Sequence, residues 1–183
     1  MEKSLKDLVL LCKDKDRKAQ ESLYSMYSPI LFSICLRYAE NYEDAQDIFQ
    51  EGFVTIFNKI DQYKFEGSFE GWMKRIMVNQ ALSKFRKRHL TYEIDAGKIP
   101  EAIHEEEENQ LNDFDYDDLL KIVQELPPQY RQVFNLYVFE EYKHLEIAEL
   151  LNISVNTSKS NLSRARSLLK EKLNLLKKPV IHE

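Results

Sequence analysis

With 183 residues, 43% of them hydrophobic and 31% charged, the chain has room for one ordinary domain or two small ones and the composition of a soluble globular protein. It has no apolar run of membrane-spanning length, and Cys12 and Cys35 form no Cys-x-x-Cys pair, which argues against membrane insertion, a disulfide framework and a thiolate zinc site. The net charge of −5 disfavours nucleic acid as a partner of the whole chain, but Lys74 to Arg88 holds six cations and no acid, Lys159 to Lys178 seven cations and one acid, and Thr91 to Asp118 eleven acids and one lysine.

The opening LKDLVLLCKDKDRK has too short an apolar centre for a signal peptide, which predicts a cytoplasmic protein. Only four glycines occur, all between Gly52 and Gly97, and strand-like alternation is nearly absent, so an almost wholly helical chain is expected. Helices are predicted around Leu5 to Lys13 and Arg17 to Tyr27. Ser28-Pro29 reads as a fresh helix start, with Ile30, Leu31, Ile34, Cys35 and Tyr38 as its apolar stripe. Asn41 and Asp44 resemble a capping box. The helix after it, about Glu43 to Gln62, carries Ala45, Ile48, Phe49, Phe53, Ile56, Phe57 and Ile60 at helical spacing. Its far side presents Asp44, Asp47, Gln50 and Glu51, either a solvated face or a docking face.

Phe65 to Gly71 reads as a loop, with Ser68 placed to cap the following helix. That helix turns Trp72, Ile76, Met77, Ala81, Leu82 and Phe85 inward and leaves Lys74, Arg75, Gln80, Ser83, Lys84, Arg86, Lys87 and Arg88 for solvent or phosphate. Aromatic rings beside a basic groove suit the stacking of unpaired bases, though rings at helical spacing suit a core equally well. Thr91 to Asp118 carries too few large apolar residues to fold alone and reads as a linker. Helical patterning resumes from Asp113 and stops at Pro127-Pro128.

The most informative stretch is Leu126 to Leu173. A short helix over roughly Leu145 to Leu151 has Ala148 for a close helix crossing, Asn152 sits where a left-handed residue must end it, and Ser154 can cap the next helix. That next helix keeps Val155, Leu162, Ala165, Leu168, Leu169 and Leu173 apolar. Its other face shows Asn156, Thr157, Lys159, Ser160, Asn161, Ser163, Arg164 and Arg166, a mixture suited to base edges and phosphates. The pattern is a helix-turn-helix.

ELPPQYRQVFNLYVFEEYKHLEIAELLNISVNTSKSNLSRARSLLK resembles the upstream-promoter-reading domain of bacterial RNA polymerase sigma factors, especially the extracytoplasmic-function group. LFSICLRYAENYEDAQDIFQEGFVTIFNKIDQYKFEGSFEGWMKRIMVNQALSKFRKR is similar to the domain that docks on polymerase and melts the promoter. Ser158 departs from the first pattern, since the family usually carries an apolar residue or threonine there.

The resemblance implies an all-α protein of two small helical domains joined by an acidic linker, with region 2 over 1–90, the linker over 91–112 and a region 4 helix-turn-helix over 113–183. It implies polymerase docking through Asp47, Gln50 and Glu51. A pocket for a base flipped out of the melted non-template strand would be built from Phe65, Glu66, Gly67, Ser68 and Asn79, with Lys84, Arg86, Lys87 and Arg88 along the strand. On the upstream duplex it implies base contacts from Lys159, Ser160 and Ser163 and phosphate contacts from Arg131, Thr157, Arg164 and Arg166. The partners implied are core RNA polymerase, promoter DNA and an anti-sigma factor; no cofactor, metal or catalytic residue is expected.

Two other readings compete. A stand-alone LuxR-like regulator shares the EIAELLNIS half of the motif but needs neither the Phe65 to Arg88 groove nor the acidic helix face. A di-iron bundle enzyme would use Glu101-x-x-His104 and Glu141-x-x-His144, but the first pair lies in the acidic strap where no apolar face exists to bury a metal.

Overall fold

Side-chain caps set the first helix starts in the computed structural model, which describes residues 4–89 and 115–176. Ser4 and Asp7 form a reciprocal box at α1 (Leu5–Lys13). Asp16 accepts from the Ala19 N–H at 2.8 Å to open α2 (Arg17–Tyr38), and Asn41 accepts from the Asp44 N–H at 2.8 Å to open α3 (Tyr42–Lys59). Asp44 returns the favour one residue early, accepting from the Glu40 N–H at 3.1 Å. A 3-10 turn, Ile60–Gln62, follows α3, and Ser68 Oγ accepts from the Gly71 N–H at the start of α4 (Phe69–His89). Then come α5 (Tyr116–Gln124), α6 (Pro128–Val138), α7 (His144–Leu151) and α8 (Val155–Leu176). The described residues contain no strand, and the fold is all-α. Two compact units, Met1–Lys84 and Phe85–Glu183, divide the chain within α4. The expected linker 91–112, the Glu101/His104 pair and the side chain of Arg88 lie outside the described residues.

The predicted break at Ser28-Pro29 does not occur: α2 runs unbroken through Pro29. An interior proline forfeits one backbone hydrogen bond and costs about 3 kcal/mol in a helix. Here Pro29 is exposed, so water can serve the freed carbonyl, while Leu23, Tyr27, Leu31, Ile34, Cys35 and Tyr38 continue one buried stripe on either side of it. Burial of each large apolar side chain contributes about 1.5–3 kcal/mol, and several such residues outweigh one proline.

The first unit packs α2 against α3, and side chains of both meet α4, around the buried Leu23, Leu31, Ile56, Met73, Met77 and Leu82. Met73 and Val78 join the buried face of α4 beyond the residues expected there. The close approach of α3 to α4 depends on Gly52, where a Cβ would lie 2.2 Å from Met77 Sδ. Burial raises the thiols of Cys12 and Cys35, to about 11 and about 12, so both are unreactive packing groups.

In the second unit, Ile122, Val123 and Leu126 meet Ala165 and Leu169 of α8, flanked by Tyr130 and Phe134. Lys172 bonds Glu125 at 2.6 Å and straps α8 to the end of α5. Asn152 closes α7 at φ 54° and ψ 49°, the left-handed conformation expected of it, and the Ile153 N–H returns to the Ala148 carbonyl. Ser154 Oγ then accepts from the Thr157 N–H at 2.9 Å, so turn and cap form from residues within a few positions of one another.

Candidate nucleic-acid and polymerase interfaces

Asp47, Gln50 and Glu51 are all exposed along α3, beside the exposed Val54. Asp47 is also engaged within the unit. Lys84 of α4 lies 3.0 Å from its carboxylate and 2.8 Å from that of the buried Asp44. Burial alone would lower the Lys84 pKa, but its bonds to the two carboxylates outweigh that and hold it above the usual lysine value. Lys84, assigned from sequence to the melted strand, and Asp47, assigned to polymerase, therefore bond each other. Neither neighbour was visible locally, since 37 residues separate them. Arg86 and Lys87 are exposed on the last turns of α4.

The loop before α4 borders a half-open cavity of about 340 Å³, near the lower end of ligand-sized sites. Phe65, Gly67 and Ser68 line it, along with Tyr63 and Phe69 and, from α1, Lys6 and Val9. Phe65 is a non-glycine residue at φ 61°, and Gly67 follows at φ 77°, so the loop holds two left-handed residues in three. Tyr63 fastens it by donating its hydroxyl to the Gly67 carbonyl at 2.9 Å. The Phe65 ring, 38% exposed, rests 5.2 Å from the Tyr63 ring with Lys13 Nζ 5.0 Å from its centroid. Trp72 is half-buried and stacks on Phe69 at 5.6 Å, outside the cavity.

Two members of the expected pocket stand apart from it. Glu66 is exposed and does not line the cavity. Asn79 is exposed on α4 eleven residues beyond Ser68, which at 1.5 Å per residue is about 16 Å along the helix. The contribution of α1 was not foreseen: nothing near Lys6 or Val9 signals that α1 packs beside a loop sixty residues later.

On the helix-turn-helix, Lys159 and Arg166 are exposed, and Thr157, Ser160, Ser163 and Arg164 half-buried. Ser160 Oγ donates to the Thr157 carbonyl, and Arg164 donates to the Tyr130 hydroxyl at 3.4 Å. Arg131 departs from its expected role. It is 2% exposed within α6, where α6 and α8 pack together, so a phosphate has no access to it in this conformation. Asn161, read as part of the outward face, is likewise buried. Ser158 is fully buried and lies 2.9 Å from His144 Nδ1. Among the described residues, no group of three or more His, Cys, Asp or Glu is placed to hold a metal, and no helix is long and apolar enough to cross a membrane.

The Sigma-70 region 2 family model matches residues 23–91, and the Sigma-70, region 4 model matches residues 116–169. The chain is 29% identical to the ECF RNA polymerase sigma factor SigW of Bacillus subtilis, over 94% of this chain and 98% of that protein. It is 26% identical to the ECF RNA polymerase sigma-E factor of Haemophilus influenzae, over 88% of this chain and 90% of the other. In fold it is similar to the sigma factor RpoE of Bartonella quintana, solved with the anti-sigma factor NepR, with a TM-score of 0.53 and 23% identity over 85% of this chain and 96% of that one.

Proposed function

Because the chain belongs to the sigma-70 family, and within it to the extracytoplasmic-function group, we propose that it binds core RNA polymerase in the cytoplasm and directs initiation at specific promoters. The observation that carries this is the pairing of two compact units, each matched by its own region model in the family's order, with a capped helix-turn-helix in the second. The polymerase supplies the chemistry, and this chain supplies the address. Domain limits follow the same reading: 1–90 for docking and melting, 91–112 as acidic linker, 113–183 for the upstream duplex.

Three surfaces divide the work. The exposed Asp47, Gln50 and Glu51 on α3 meet the polymerase. The cavity at Phe65, Gly67 and Ser68 takes a base extruded from the non-template strand, whose unstacking costs a few kcal/mol that stacking on Phe65 offsets. Asn79, Arg86 and Lys87 act further along that strand rather than in the cavity. On the duplex, Lys159, Ser160 and Ser163 read bases from the first turns of α8, and Thr157, Arg164 and Arg166 hold phosphates. An anti-sigma factor that covers these surfaces belongs to the same reading.

Mixing the full chain with core polymerase and a library of random promoters tests the function directly. Transcripts enriched for a shared upstream and melted element are expected. Transcripts no different from those of core polymerase alone would overturn it.

A further inference from the structure

His144 opens α7, the first helix of the motif, and is held from two neighbouring helices. Its Nδ1 lies 2.9 Å from Ser158 Oγ on α8, and its ring stacks on Tyr137 of α6 at 4.7 Å and 24°. Arg166 of α8 lies 5.8 Å over the same Tyr137 ring. Ser158 is fully buried, so its hydroxyl needs a partner, and the imidazole is that partner. The half-buried ring has no hydrogen bond at Nε2 among the described residues. Exposed Lys159 follows Ser158 directly, and the positive charges of both Lys159 and Arg166 act on the imidazole through space. Lys143 and Glu146 flank His144 at this end of α7, with Glu140 and Glu141 in the turn before it, and the Glu146 carboxylate accepts from the Lys143 N–H at 2.7 Å.

We propose that His144 is a ligand for the DNA backbone: Ser158 orients the imidazole so that Nε2, together with Arg166, holds one phosphate of the upstream duplex. The inference rests on the reading of α8 as the duplex-facing helix. A backbone phosphate suits the site because it is an anionic acceptor, and the imidazole and Arg166 supply donors and positive charge.

A linked proton distinguishes this role from a structural one. In the free chain burial, then the charges of Lys159 and Arg166, hold the imidazole below its ordinary pKa, so it is neutral at physiological pH. A phosphate held by the imidazole and Arg166 counters those charges and favours the imidazolium. Binding then takes up a proton, and duplex affinity strengthens as pH falls.

The experiment measures fluorescence anisotropy of holoenzyme on a duplex carrying the upstream element that the wild-type holoenzyme itself selects, from about pH 8 to about pH 6 at constant ionic strength. Relative to H144Q, wild-type affinity should rise toward low pH, by up to about tenfold per pH unit for one linked proton. In parallel, an NMR titration of His144 in the unmodified full chain should show its pKa move up when the duplex is added. Inorganic phosphate alone at equal ionic strength should leave it in place, and an equal shift with phosphate would overturn the DNA assignment. Selective binding with the same pH profile in wild type and H144Q, or a His144 pKa unmoved by duplex, overturns the inference and leaves the sigma-factor reading standing. Wild-type holoenzyme without selective duplex binding at any pH would overturn that reading, and this inference with it.

Discussion

Replacing Phe65 by alanine and, separately, by glycine divides its backbone from its ring. At φ 61° any residue with a Cβ meets a penalty of about 1–2 kcal/mol, which glycine escapes. Glycine returns about 0.4–1 kcal/mol by loosening the unfolded chain. Phe65→Gly should therefore be more stable than Phe65→Ala by roughly 0.5–1 kcal/mol, read as a higher urea midpoint of the full chain. Both variants lose the Tyr63 contact at 5.2 Å and the Lys13 contact at 5.0 Å, so those losses cancel in the comparison. Both also lose the platform for a base. If the ring stacks on an extruded base, each should weaken holoenzyme binding to a single-stranded non-template segment by about 1–3 kcal/mol, roughly 5–150-fold. Backbone strain kept at a position where a ring is useful is the pattern of a functional loop. Alanine proving the more stable of the two would refute the strain argument, and strand binding at wild-type affinity in both would refute the stacking one.

Gly52→Ala should lower the stability of the first unit by about 1–3 kcal/mol through its clash with Met77 Sδ, and a companion Met77→Ala should recover part of the loss in denaturant melts. Joint replacement of Asp47, Gln50 and Glu51 by alanine should abolish assembly with core polymerase while circular dichroism keeps its helical signal, because all three are exposed. Arg164→Ala should weaken binding on every duplex and flatten its salt dependence, whereas Lys159→Ala should relax preference at one base pair for about 1–3 kcal/mol. The Lys172 bond holds Glu125 below the usual glutamate pKa, so its stabilisation is present above that range and lost as pH falls through the lowered value. Glu125→Gln should thus cost at most about 1 kcal/mol at neutral pH, and the difference in melting should vanish in acid.

The features legible in the chain as written are those whose partners lie within a turn of helix. The limits of α1, the caps at Asn41, Ser68 and Ser154 and the left-handed Asn152 all depend on hydrogen bonds spanning a few residues, and residue type controls such bonds directly. The amphipathic stripes are local in the same sense, and with the caps they carry the helix-turn-helix and the all-α class. Where local preference and burial conflicted, packing prevailed. Pro29 sits inside α2 because the buried stripe on both sides outweighs one lost backbone bond.

Side-chain availability follows a different logic, because it depends on what distant segments bring. Lys84 looks like one more cation of a basic helix until Asp44 and Asp47, some forty residues earlier, claim it. Arg131 and Asn161 carry polar groups that suit DNA, yet the packing of α6 on α8 encloses both. The cavity wall at Lys6 and Val9 and the bond from His144 to Ser158 likewise join residues whose separation in sequence leaves no periodic trace. Patterning sets which face of a helix is apolar; which polar residues stay open to a partner is set when the helices close on one another, since that step removes water from some of them and not others.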